Sequence, residues 1–255
     1  MGVSVVAGGI GQPGEGDLDF GRVALQRLRH EPLREGVIVE DLSPGTVDVA
    51  GRLRELRPQT LILVAATARG RAPGEVQRRL ARPDQISGGP MGPDQGDVAP
   101  NDAPIDRVVR LALESSITPA RVVVVEVEPA NLEPSQELSL EVAPALEDAL
   151  DLVRSEIRRA PLLDLARELR DYMTSDPLQP TPVVEAVEAL LAELEGLERE
   201  GRWGRTFAER DRLRLRIADG EHAGDFVGGL HWAMWWALME ELDRMQALEA
   251  TSGPR

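Results

Sequence analysis

Val3-Ser4-Val5-Val6-Ala7-Gly8-Gly9-Ile10-Gly11-Gln12-Pro13-Gly14 is a short apolar run that ends in a cluster of glycines, and Phe20 to Leu28 follows it with apolar residues at three and four spacing. This reads as a buried strand, a glycine turn and a helix that returns to cover the strand. The alternation recurs down the chain. Gly36 to Glu40, Thr60 to Ala65 and Arg121 to Val127 are β-branched or leucine-rich runs bounded by Gly, Pro or Asp. Val47 to Leu56, Ile105 to Glu114 and Leu140 to Ile157 carry helical periodicity. Strands alternating with helices predict a three-layer α/β sandwich with a mainly parallel sheet, joined by right-handed crossovers.

The chain changes character near residue 160. Phe20 is the sole aromatic up to residue 171, whereas Tyr172, Trp203, Phe207, Phe226, Trp232, Trp235 and Trp236 all lie beyond it. Thr181 and Pro182 make a helix cap and first turn, and Val183, Val187, Leu190, Leu194 and Leu197 follow at coiled-coil spacing. Asp225 to Leu248 supplies an apolar helical partner, and Arg212 to Ile217 between them fits helix or strand. The expected organisation is an α/β domain over 1–160 and a helical extension over 161–255. Trp232, Trp235 and Trp236 read either as core of that extension or as an anchor for another protein. The stretch from Ala81 to Pro104 is too rich in Gly, Pro and Asp to hold a helix or strand, and is expected to be mobile.

Composition excludes several classes. With 255 residues, 42% of them hydrophobic, the chain can bury a sizeable core. A formal charge of −15 makes nucleic acid a poor partner, since no basic face is segregated. All 29 basic residues are arginine. No apolar run approaches the roughly 20 residues that cross a bilayer, and no basic segment precedes an apolar one at the start, so neither membrane insertion nor export is expected. Cysteine is absent, which removes disulfides and thiolate chemistry and fits a cytoplasmic location.

Gly9-Ile10-Gly11-Gln12-Pro13-Gly14 matches GxGxxG after a strand, and Glu40 and Asp41 end the next strand where a ribose-binding carboxylate would sit. Two features oppose a dinucleotide. The helix starts only at Asp19 or Phe20, and Glu15, Asp17 and Asp19 set carboxylates where pyrophosphate would lie. Glycines that let the strand turn are the plainer reading. Asp17, Asp19 and Asp41 could gather at the carboxyl ends of the strands as a catalytic group. Their structural roles would be a helix cap for Asp19 and bonds to turn amides for Asp17 and Asp41.

The wider string from Gly9 to Gly21 resembles the opening signature of the nickel-iron hydrogenase maturation endopeptidases, roughly GxGNxLxxD(D/E)GxG. The resemblance continues in order. Asp41 ends the second strand; Leu61-Ile62-Leu63-Val64-Ala65-Ala66 is similar to a third strand that normally ends Val-Asp-Ala. Pro73-Gly74-Glu75-Val76 resembles the segment after it, and Val122 to Pro129 with Leu138, Ser139 and Val142 resembles the family's closing strand and Leu-Ser-x-x-Val. The resemblance implies a phosphorylase/hydrolase-like fold and a nickel site built from a carboxylate of the D(D/E) pair, the Val-Asp-Ala aspartate and a histidine after the long loop. Those positions here hold Leu18, Ala65 and, near Asn101 or Asp102, no histidine; His30, His222 and His231 fall elsewhere. Leucine and alanine have no lone pairs for a metal.

The expectation is therefore a non-proteolytic relative without metal or cofactor. It would act as an assembly, scaffold or subunit protein in a hydrogenase-related complex, with Trp232, Trp235 and Trp236 as partner-binding residues. The alternatives are an active endopeptidase trimming a large-subunit precursor with Asp17, Asp19 and Asp41, and a nucleotide or small-molecule enzyme using the Gly9 to Gly14 turn.

Overall fold

Five strands and the helices between them are set out in a computed structural model, which describes residues 4–43, 48–81, 103–114 and 119–175, with 192, 196 and 240 as isolated positions. In chain order these are β1 (Val5–Gly9), a 3-10 turn (Gly16–Asp19), α1 (Phe20–Leu28), β2 (Val37–Asp41), α2 (Val49–Leu56), β3 (Thr60–Ala66), β4 (Val76–Leu80), α3 (Pro104–Glu114), β5 (Arg121–Val127) and α4 (Ala145–Ser175). The chain divides into two compact units, Met1–Ile157 and Arg158–Arg255. Little of the second unit lies among the described residues. The expected Ala81 to Pro104 loop, the helix from Thr181 and the tryptophan cluster fall almost wholly outside them.

The strand order is β2-β1-β3-β5-β4, with β4 antiparallel at one edge and all other pairs parallel. This is the expected α/β sandwich with a mainly parallel sheet. Every residue of β1, β3 and β5 is buried, as strands covered on both faces require. Leu61, Leu63 and Ala65 of β3 join Val122 and Val124 of β5 on one face, packed with Val49 and Leu53 of α2 and Ile105, Val108 and Ala112 of α3. α1 covers the opposite face, where Phe20, Ala24, Leu25 and Leu28 form its buried stripe. The part of α4 up to Ile157 buries Ala145, Leu146, Ala149, Leu150 and Val153 at helical spacing.

Strand β4 is an addition to the sequence reading. Val76-Gln77-Arg78-Arg79-Leu80 carries adjacent arginines, a poor strand signal, and the sheet holds it through charge. Arg78 donates to Glu156 of α4 at 3.1 Å. Arg79 faces the other way, to Asp106 of α3 at 3.0 Å and Glu126 of β5 at 3.3 Å. The period of two sends neighbouring arginines to opposite faces, each toward a buried glutamate. Arg121, at the start of β5, also pairs with Glu156, and both side chains are fully buried.

Two further expectations need correction. The helix expected over Leu140 to Ile157 begins at Ala145, because Pro144 disfavours helical geometry at Ala143, and it runs on to Ser175. Asp19 precedes α1 but makes no cap bond with its side chain, since Arg22 draws it off. Asp48 does cap α2, accepting from the Gly51 amide at 3.0 Å.

Candidate functional site

The order β2-β1-β3 places the reversal of winding between β1 and β3, and open α/β sheets hold their ligands beyond the strand ends at such a point. A cavity of about 390 Å³ lies there. Its described walls are Ile10, Gly11, Gln12 and Leu18 from the loop after β1, Ala65 and Ala66 at the end of β3, and Pro104, Ile105 and Arg107 from the first turn of α3. Leu18 and Ala65 thus meet in one pocket, although 47 positions separate them. No carboxylate or imidazole lines it among the described residues. Nor, among them, does any group of three or more His, Asp or Glu stand close enough to hold a metal.

The glycine-rich loop is held shut from within. The amides of Ile10, Gln12, Glu15, Gly16 and Leu18 donate to the carbonyls of Val64, Leu18, Gln12, Ser135 and Glu15, and the Gly11 amide donates to the Ser43 hydroxyl at 3.0 Å. A phosphate would have to displace these bonds. Gly14 and Gly16 adopt positive φ of 79° and 55°, so the turn uses glycine there. Gly9 and Gly21 serve another purpose: a Cβ on Gly21 would strike the carbonyls of Val64 and Ile10, and one on Gly9 would strike the Gly21 carbonyl. These two glycines let α1 lie directly on β1 and β3.

The three aspartates separate into two arrangements. Asp17 is 1% exposed. Its Oδ2 accepts from the amides of Ala130 (2.9 Å) and Asn131 (3.0 Å) and from the Ser139 hydroxyl (2.9 Å), and its Oδ1 accepts from the Ser139 amide at 2.7 Å. With the Gly16 to Ser135 and Ser135 to Gly14 backbone bonds, it clasps the loop after β1 to the loop after β5.

Asp19 and Asp41 instead share Arg22. The guanidinium donates to Asp19 at 3.1 Å and to Asp41 at 3.0 Å. Partial burial, with the Asp41 charge adding to it, holds the Asp19 carboxyl above its ordinary value despite Arg22. Asp41 is pushed up by burial too, but the Ser43 hydroxyl (2.5 Å) and amide (3.0 Å) and Arg22 outweigh that and leave it below its ordinary value. Neither carboxylate lines the pocket; Asp41, at the end of β2, borders a separate small recess with Gly9 and Arg22.

A larger ionic cluster lies on the α3 side, and the sequence reading missed it. Glu126 is 2% exposed and is met by Arg69 at 2.7 Å, with Arg79 beside it. Arg69 and Arg79 also reach Asp106, at 2.8 and 3.0 Å. Burial alone would make Arg69 easier to deprotonate; Asp106 and Glu126 more than reverse that. Glu128 accepts from the amides of Arg69 and Gly70 and from Arg71. Glu126 is the register partner of Ala65 and shares its face, yet three arginines surround it. The described residues therefore do not fit a nickel ion: the two positions at which the resemblance calls for carboxylates carry hydrocarbon, and the carboxylates nearby are committed to arginine or to backbone amides.

No family model matches the chain, and no curated protein matches it in sequence. Solved structures do. The hydrogenase maturating endopeptidase HybD from E. coli is similar at a TM-score of 0.51 and 19% identity, over 62% of this chain and 93% of that one. The [NiFe] hydrogenase maturation protease HycI from Thermococcus kodakarensis KOD1 is similar at 0.48 and 21%, over 61% of this chain and 92% of that one. Across nearly the whole of HybD and 62% of its own length, this chain has the fold of a hydrogenase maturation endopeptidase.

Proposed function

We propose that this chain is a non-proteolytic relative of the hydrogenase maturation endopeptidases that serves a hydrogenase-related complex as an assembly, scaffold or subunit protein. One observation carries the reading: Leu18 and Ala65, the positions at which the family resemblance calls for metal-binding carboxylates, line a single pocket and give it hydrocarbon walls. Among the described residues, these walls present no carboxylate or imidazole to a nickel-loaded precursor. What remains is a fold suited to recognising a protein, joined to an aromatic-rich extension. In this proposal the α/β domain spans residues 1–160, the helical extension spans 161–255, and Trp232, Trp235 and Trp236 supply the contact.

The active-peptidase alternative would have to work with Asp17, Asp19 and Asp41. Asp17 has its oxygens engaged by four donors, and the other two carboxylates are joined by Arg22. The nucleotide alternative would need loop amides that are already spent.

The test is to mix the purified chain with a nickel-loaded hydrogenase large-subunit precursor, separate the species by size, and weigh the precursor by mass spectrometry. The expected result is a complex containing precursor of unchanged mass. A precursor shortened at its C-terminus would overturn the non-proteolytic reading, and an unbound, uncut precursor would overturn the assignment of this partner.

A further inference from the structure

The pocket between the ends of β1 and β3 has lost one chemistry and acquired another. Among the described residues its side-chain walls are apolar except for Gln12 and Arg107, and its volume of about 390 Å³ falls in the roughly 300–1,000 Å³ range of small-molecule sites. Arg107 is exposed at its edge. Among the described residues it is the one arginine whose side chain makes neither an ion pair nor a hydrogen bond. The carboxylate beside it in sequence, Asp106, is taken by Arg69 and Arg79 and does not cancel its charge. In a chain of net charge −15 this leaves a cation free at the rim of a hydrocarbon-lined cavity.

We propose that the pocket binds a small amphipathic carboxylate, with an aliphatic body against Ile10, Leu18, Ala65 and Ile105 and its carboxylate on the Arg107 guanidinium. A guanidinium matches the two oxygens of a carboxylate, and apolar walls reward burying a chain at about 0.8 kcal/mol per methylene. A phosphate dianion fits less well, because among the described walls only Gln12 offers it a further side-chain donor and the chain's net negative charge repels it. The proposal rests on the reading of this pocket as a site unfit for nickel, but not on any hydrogenase partner.

Octanoate is the probe, titrated by calorimetry into the full chain alongside neutral 1-octanol. Saturable one-to-one binding of octanoate is expected, with octanol at least about tenfold weaker. Arg107→Gln, on an exposed side chain that supports nothing in the fold, should weaken octanoate by a similar factor, and Arg107→Lys should recover part of it. Leu18→Trp, which fills the cavity, should abolish binding while circular dichroism shows the fold retained; should that variant fail to fold, the Arg107 pair and octanol decide alone. Absence of saturable octanoate binding, octanol binding equally well, or indifference to Arg107→Gln would each overturn the proposal. A nickel titration on the same sample separates the two claims: lack of octanoate binding without nickel binding defeats this inference alone, whereas tight nickel binding defeats the reading beneath it.

Discussion

Removing the buried Asp17 carboxylate would leave the amides of Ala130, Asn131 and Ser139, on a partly exposed loop, without their acceptor. Water can reach these amides in part, so the loss is that of charge-assisted hydrogen bonds from one buried carboxylate, and Asp17→Ala should lower unfolding stability by about 1.5–3 kcal/mol in urea titration. A loss below 1 kcal/mol would show that the clasp between the two loops contributes little. Gly21→Ala should also be costly, by about 1–3 kcal/mol, because the added methyl meets the backbone carbonyls of Val64 and Ile10, which cannot rotate away. The sequence displayed both residues but not their duties. A glycine in a GxG string reads as a flexible turn, and only the packing of α1 on two strands reveals that Gly9 and Gly21 are there for want of volume. That Asp17 bonds turn amides was legible as one option; that those amides lie more than a hundred residues away was not.

Among the elements, the parallel strands were readable because they are short, largely apolar runs bounded by turn residues, and α1, α2 and α3 because they repeat apolar residues at three and four spacing. Strand β4 was not, since its middle is Gln77-Arg78-Arg79 and its stability comes from carboxylates on other elements. Glu156→Ala would remove a carboxylate that pairs with both the fully buried Arg121 and Arg78, and should destabilise the first unit by about 3 kcal/mol. Glu128 gives the same account a pH dependence. Burial pushes its carboxyl up, but the amides of Arg69 and Gly70 and the Arg71 side chain outweigh this and hold it below its ordinary 4.5. Its contribution to stability is therefore complete above that value and fades as pH falls through the lower, folded-state value. Urea midpoints of the parent and Glu128→Gln should differ at pH 7 and converge as the pH is taken well below 4.5. A difference that stays constant, or widens, would show that the glutamate acts only through packing.

At the scale of the whole molecule, the arginines and acidic residues serve two ends. Buried glutamates and arginines join layers of the sandwich, while the excess of acidic residues over the whole sequence gives a net charge of −15. Among the described residues no helix is long and apolar enough to cross a membrane. The tryptophan-bearing segment lies outside them, so its role is a matter for solution experiments. Trp232→Ala, Trp235→Ala and Trp236→Ala, made singly, should include at least one variant that weakens association by about 2 kcal/mol or more while the monomer's unfolding midpoint barely moves. If all three simply destabilise a monomer whose midpoint is independent of concentration, the cluster is core. The candidate pocket was half legible: the losses at Leu18 and Ala65 could be read from motif positions, but their convergence with Ile105 and Arg107 depends on α3, brought over the ends of β1 and β3 by the fold.

Calorimetric titration of nickel into the full chain tests the central claim most directly. The account predicts heats no larger than those of a dispersed acidic surface and no saturable site, unchanged by Asp17→Ala or Asp41→Ala. A single site of micromolar affinity or tighter, lost in either variant, would contradict it and return the carboxylates beside the pocket to metal chemistry.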